Sequence, residues 1–389
     1  MSTVERCYWR GGARGLLGAV VATALAVAPA PAAAAAPGCE VEPGKPDMGG
    51  EPWAQQMLNM KEAHRLSTGR GVVVAVVDSG VDFKNPQLKG QGAGAVDLTG
   101  TGVADCAAHG TGVAGVIAAR EMAKVPFVGV APGARILSVK VAANERDNSD
   151  LLLAQGILRA VRQKARVINV SAQTAVDSKA LRQAVEYAQK KDVVVVAAAG
   201  NVDPKNTGTA VPAYPAQYPG VLSVGAVDST GKVTVFSDVA TRVSVVAPGI
   251  GITSTWPGSG WSFGYEGTSF AAPFVAGTAA LVRAAYPKMP AAEVVRRIEA
   301  TADGNRGPGS GSGLVNPLQA VSAQVAVEQA GLEPRAVPIP RLPEEDDRPG
   351  KIALGVMGGA LGAASVALAA GLTVPHGRRR RWAAGQPPR

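Results

Sequence analysis

The chain is poor in aromatic side chains, which make up 4% of its 389 residues, and it holds only three cysteines and three histidines. With 48 glycines beside so few rings, the 47% of hydrophobic residues must build a core from small aliphatic side chains at close backbone contact. Two lone cysteines, Cys39 and Cys106, offer fewer ligands than a structural metal site needs. No dense run of acidic and carbonyl ligands suits a calcium loop, and no metal or other cofactor is expected. There is no internal repeat, which sets aside a solenoid. The middle of the chain also lacks charge of one sign. Of the net +9, residues 1–35 carry +2 and residues 351–389 carry +6, leaving +1 for residues 36–350. The basic balance therefore belongs to the ends, and no nucleic-acid partner is expected.

The ends carry membrane chemistry. Arg10 and Arg14 precede the apolar run LLGAVVATALAVA, and Ala32–Ala36 offer small-residue cleavage sites, so residues 1–35 are expected to be a signal peptide. Residues 352–375 hold 24 positions without a charge. A helix of that length rises about 36 Å and spans a hydrocarbon core of ~30 Å. Arg378–Arg381 follow it and should stay cytoplasmic. The expected topology is single-pass in the cell membrane, with residues 36–350 extracytoplasmic and a cytoplasmic tail at 376–389. Gly355/Gly359 and Gly358/Gly362 permit helix pairing. Cys7 leaves with the signal, and Cys39 and Cys106 remain for an oxidising compartment. A disulfide between them is the simplest reading.

Between the ends, an arm (36–51) rich in Pro and Gly precedes a domain at 52–322, and a Pro-rich acidic linker (323–350) precedes the membrane helix (351–375). Strands are predicted over 71–81, 134–141, 166–171, 193–201, 219–228 and 242–249, and helices over 52–66, 110–120, 150–165, 178–192, 269–287 and 291–302. Near-continuous valine runs alternating with amphipathic segments predict an α/β fold, a mostly parallel sheet covered by helices on both faces. In such folds sites form at the carboxyl ends of the strands.

Three stretches fall at those ends. Asp78 closes a buried strand in VVDSGVD, and a carboxylate there must find a partner or cap the next turn. His109 opens HGTGVAG at a helix start, whereas His64 and His376 read as surface residues. Ser269 stands in GTSFAAP at the mouth of a helix, either as a cap or as a nucleophile. Pro273 is expected at the edge of that helix's first turn, where a missing N–H costs least. Nucleophilic hydrolysis needs a hydroxyl, a base and a group that orients the base, and Ser269, His109 and Asp78 supply these types. Asn201, just past a strand in AAAGN, adds an amide able to donate to a developing oxyanion together with the Ser269 N–H.

The order Asp, His, Ser with D-S-G-V, H-G-T-G-V-A-G, A-A-G-N and G-T-S-F-A-A-P resembles the subtilisin-type serine proteases over about residues 52–320. The resemblance implies a subtilisin-like three-layer fold and a serine endopeptidase acting on protein or peptide substrates. It implies that substrate adds as a strand beside Ser171, Ala172 and Gln173, with Ala198, Ala199 and Gly200 as another wall of the first pocket. Gln173 stands where the family carries glycine. The tether, Cys106 three residues before His109, Cys39 in the arm and the phenylalanine in G-T-S-F-A-A-P are similar to the mycosins, membrane-anchored proteases of type VII secretion. That likeness implies a type VII secretion membrane complex as partner, and an arm that wraps the catalytic domain. The other role open to such a chain is that of a structural accessory of the complex with proteolysis dispensable. Mycosins commonly carry a second disulfide, for which this chain has no cysteines. A Cys39–Cys106 bond would close a loop worth roughly 3–4.5 kcal/mol through restriction of the unfolded chain.

Overall fold

The computed structural model describes Cys39 and residues 41–144, 149–202, 211–237, 240–325 and 348–379. The chain forms two compact units, Met1–Val325 and Ala326–Arg389. In the first, helices α1 (Trp53–Met57) and α2 (Met60–Leu66) precede strand β1 (Val73–Asp78) and β2 (Gly92–Asp97). Then follow α3 (His109–Ala118), β3 (Arg135–Lys140), α4 (Asp150–Arg162), β4 (Val167–Val170), α5 (Lys179–Lys190) and β5 (Val194–Ala198). Strands β6 (Leu222–Val227), β7 (Val245–Pro248), β8 (Ile252–Thr255) and β9 (Trp261–Tyr265) lead to helices α6 (Thr268–Ala285), α7 (Ala291–Ala300) and α8 (Pro317–Ser322).

Seven strands make one sheet in the order β2-β3-β1-β4-β5-β6-β7, and every neighbouring pair is parallel. Successive residues of a strand point to opposite faces. Val74 and Val76 of β1 accordingly join the core built around α3 and α6, while Ala75 and Val77 join the core beneath α4 and α5. Both faces are covered, which is why the strands read as unbroken valine runs rather than as alternating ones.

The expected α/β architecture is present, with three local differences. The expected helix over 52–66 is two helices, because Asn59 takes a left-handed backbone at φ 49° and starts the second. Strand β2 has the sequence GAGAVD, with little β-propensity and a half-exposed edge position, so the pattern of buried apolar residues misses it. The pair β8–β9 is an antiparallel hairpin separate from the main sheet. Its strands are four and five residues long and ITST has no apolar run, so the pattern of buried apolar runs misses it too. The arm lies against this hairpin. The Lys45 and Trp261 backbones exchange hydrogen bonds of 2.9 and 3.0 Å, and Trp256 Nε1 donates to Glu42 O at 2.6 Å. Cys39 and Cys106 form a disulfide, with Cα atoms 5.2 Å apart.

In the second unit a 32-residue helix, α9 (Arg348–Arg379), contains the expected membrane segment. Its described apolar stretch is Val356–Leu372, with exposed side chains. Among the described residues the helix long and apolar enough to cross a membrane is α6, which is a buried core helix. The expected signal peptide, most of the linker and the end of the basic tail lie outside the described residues.

Asp192, in the turn after α5, ties three elements together. It accepts from Arg283 of α6 at 3.1 Å, from Arg166 at 3.3 Å and from the Ala291 N–H of α7 at 2.6 Å. Burial pushes its carboxyl up, but the bonds to Arg283 and Ala291 outweigh this and hold it below its ordinary value. Its contribution to stability is therefore present above the unfolded carboxylate value near about 3.9 and is lost as pH falls through the lower folded value. Asp192→Asn is expected to lower the melting temperature at neutral pH, with a deficit that shrinks below about pH 4. Thermal denaturation of both proteins across pH measures this, and a deficit independent of pH would contradict it.

Candidate active site

Strand order sets the site. Strands β1, β4 and β5 are neighbours, so Asp78, Ser171 and Asn201 emerge side by side at one end of the sheet. Helices α3 and α6 start above that end and bring His109 and Ser269. His109 Nδ1 lies 2.7 Å from Asp78 Oδ1, and His109 Nε2 lies 3.0 Å from Ser269 Oγ. A carboxylate accepts only, so Nδ1 carries the proton and Nε2 faces the serine hydroxyl as an acceptor. Asp78 is 3% exposed, and its Oδ1 also accepts from the Ser79 N–H at 2.7 Å. The three groups are therefore joined in one hydrogen-bonded line.

The ring of His109 is packed as well as bonded. Phe270 meets it edge-on at 4.8 Å between centroids, and Tyr265 stacks on Phe270 at 4.3 Å. The Tyr265 hydroxyl donates to Ala108 O at 2.8 Å, fixing the residue before His109. Ala108 itself holds a left-handed backbone at φ 59°, a conformation that costs an alanine about 1–2 kcal/mol.

Asn201 is oriented by Thr268, whose N–H and hydroxyl donate to its Oδ1 at 2.9 and 3.0 Å. Because that oxygen takes an amide N–H, Nδ2 is the group turned to the serine. A Cβ placed on Gly267 would lie 3.1 Å from Asn201 Nδ2 and 3.2 Å from Ser269 Oγ, so both groups border the same small space. The φ of 128° at Gly267 is also one that only glycine takes readily. The Ser269 N–H belongs to the first turn of α6, where amides have no i−4 partner within the helix.

Pro273 differs from its expected place. It is the sixth residue of α6 and lies in the second turn. Lacking an N–H, it leaves Ser269 O without the usual donor four residues on. The Ser171 hydroxyl donates to that carbonyl at 2.7 Å and accepts from Asn169 Nδ2 at 2.8 Å. Ser171 thus completes the nucleophile's own backbone, a contact that no local pattern in the sequence signals.

A cleft of about 210 Å³ opens over these groups. Ser171, Ala172 and Gln173 line it, as do Asn144 and Glu266, which sequence reasoning passed over because neither sits in a recognisable motif. Ala198, Ala199 and Gly200 are buried and are not among its lining residues. Among the described residues no group of three His, Cys, Asp or Glu is arranged to hold a metal.

The pattern of the Subtilase family matches residues 69–323. Subtilisin NAT of Bacillus subtilis subsp. natto is 39% identical over 236 residues, covering 60% of this chain. The chain spans only 61% of the length of that relative. Mycosin-1 of Mycolicibacterium smegmatis is 32% identical over 371 residues, covering 79% of this chain and 81% of its own length. The solved structure of the MycP3 protease from the type VII (ESX-3) secretion system superposes with a TM-score of 0.63 at 35% identity, over 73% of this chain and 91% of that one.

Replacing Ser171 by alanine strands a buried carbonyl at the start of α6. Ser171→Ala is expected to cost about 1–3 kcal/mol of unfolding free energy. Urea denaturation measures it, and an unchanged midpoint would show that Ser269 O finds another donor.

Proposed function

The chain belongs to the subtilase family, and on that premise we propose that it is a serine endopeptidase in which Ser269, His109 and Asp78 hydrolyse peptide bonds. The observation that carries this reading is the unbroken line of hydrogen bonds from Ser269 Oγ through His109 to Asp78, at 3.0 and 2.7 Å. Ser269 Oγ attacks the peptide carbonyl carbon while His109 Nε2 takes its proton. Asp78 keeps the imidazole in the tautomer that leaves Nε2 free to accept, and it stabilises the imidazolium that results. The oxyanion of the tetrahedral intermediate is held by Asn201 Nδ2 and the Ser269 N–H. His109 then hands its proton to the leaving amine. Water releases the acyl group from Ser269 by the same steps in reverse. An extended substrate pairs along Ser171–Gln173, which lines the cleft.

The same proposal places the catalytic unit outside the cell membrane, held by the apolar segment within α9 and exported by the N-terminal signal. Likeness to Mycosin-1 over most of both chains supports type VII secretion as the setting, with protein or peptide substrates and a secretion membrane complex as partners. A strain producing Ser269→Ala distinguishes protease from accessory. Secretion lost with the protein but kept with Ser269→Ala would assign the chain a structural role in the complex.

A fluorophosphonate probe is expected to label the wild-type protein at Ser269 and to leave Ser269→Ala unlabelled. Absence of label on folded wild-type protein would overturn the reading. Asn201→Ala is expected to lower kcat by about 10²–10³, a magnitude taken over from subtilisin itself, with folding intact. Steady-state kinetics check this, and a loss below about threefold would remove Asn201 from the oxyanion site.

A further inference from the structure

A second buried carboxylate lies behind Asp78 and His109, and the reaction as proposed does not use it. Asp105 is 2% exposed. Its Oδ1 accepts from the Ser79 hydroxyl at 2.8 Å and the Ala107 N–H at 3.2 Å. Its Oδ2 accepts from the Thr111 N–H at 2.7 Å and the Thr111 hydroxyl at 2.6 Å. The far side of each hydroxyl is also engaged. Ser79 Oγ accepts from the Gly110 N–H, and Thr111 Oγ1 accepts from the Asp82 N–H, both at 3.0 Å. Each hydroxyl therefore keeps one proton to give, and Asp105 is the acceptor it faces. Four donors converging on two oxygens is the environment of an ionised carboxylate. Burial pushes the Asp105 carboxyl above its ordinary value, opposed by the donors from Thr111 and Ser79 and reinforced by the charge of Asp78.

Three of the four donors to Asp105, from Ser79 and Thr111, sit on residues that also hold the reacting groups. Ser79 gives its N–H to Asp78 Oδ1, the oxygen that also accepts from His109. Gly110 and Thr111 follow His109 directly in α3, a helix with no acidic residue in its own first turn. Gly110 is held close, since a Cβ there would lie 2.1 Å from Gly80 O. On the other side, the buried Lys140 donates to Ala104 O at 2.7 Å, one residue before Asp105. Among the described residues, the charged groups that line the cleft with His109 or join this network are Asp78 on β1, Glu266 on the cleft, Asp105 before α3, Lys140 on β3 and Asp82 after β1.

We propose that Asp105 is a positioning residue for the reaction. Through Ser79 it fixes the carboxylate of Asp78, and through the first turn of α3 it fixes the ring of His109. Its charge favours the imidazolium that forms when Ser269 loses its proton. This rests on the serine-protease reading above.

The test compares wild type with Asp105→Asn on a quenched fluorescent peptide across pH. The substitution keeps the shape, removes the charge and turns acceptor sites into donors. The kcat is expected to fall about tenfold or more with KM changed less than about threefold. The acid midpoint of kcat/KM is expected to move down by about 0.5 pH unit, because the imidazolium loses a stabilising charge. A merely structural role would lower stability and leave that midpoint in place. A folded variant with kcat within about twofold and an unmoved midpoint overturns the proposal. Where Asp105→Asn does not fold, Ser79→Ala cuts the link to Asp78 and keeps both bonds from Thr111. It is expected to show the same fall in kcat, and a full kcat would overturn the proposal. Wild type that neither takes a fluorophosphonate label nor cleaves any peptide would instead remove the protease reading itself.

Discussion

Helix α6 is buried from its first residue to Arg283, and a helix buried at its N-terminus must find partners for its polar backbone inside the protein. Most of the site follows from that constraint. Thr268 is met by Asn201 from the end of β5, and Ser269 O is met by Ser171 from the end of β4. Those two strands are adjacent, so one helix end is secured from two neighbouring strands at once. The hydroxyl of Ser269 then stands over the sheet with little freedom to turn away. Pro273, which would weaken an ordinary helix, removes a donor at the point where Ser171 supplies one.

Helix α3 solves the same problem differently. Its first amides go to Ser79 and Asp105, outside the helix, and the N-cap residue is Ala108 with no side chain to cap. The ring of His109 is therefore held by a loop and a strand end. Two carboxylates, Asp78 and Asp105, occupy the buried space beneath it, and Ser79 separates them by bonding to both. Such a network has few alternative arrangements, because each unmade bond would leave a desolvated group. The local geometry gains rigidity from polar contacts where the rest of the fold relies on valine and alanine.

The parallel sheet was legible because its strands other than the edge strand β2 are largely buried and rich in valine. The residues at Asp78, His109, Asn201 and Ser269 were legible because short motifs surround them. Strand β2 and the β8–β9 hairpin were not, since GAGAVD and ITST have no apolar run and gain their form from neighbours. The role of Ser171 was hidden for a different reason. Its partner is 98 residues away, and only the folded chain shows that Pro273 leaves a carbonyl to satisfy. Asp105 sits four residues before His109, yet nothing local says that Ser79, 26 residues earlier, donates to it. Burial and the position of most strands are visible in composition and periodicity, whereas strand order and side-chain to backbone contacts across the fold are not.

The arm has a consequence beyond linkage to Cys106. A two-stranded hairpin outside the main sheet offers its outer edge to any extended chain that comes near. Lys45 occupies that edge at Trp261, and Gly44 fits there because a Cβ would lie 2.7 Å from Trp256 Cβ. The cation of Lys45 lies 5.4 Å from the Phe263 ring, which keeps a charge at the exposed margin. The arm thus fills a pairing position that would otherwise be open to a neighbouring molecule, and it guards the hairpin against edge-to-edge association.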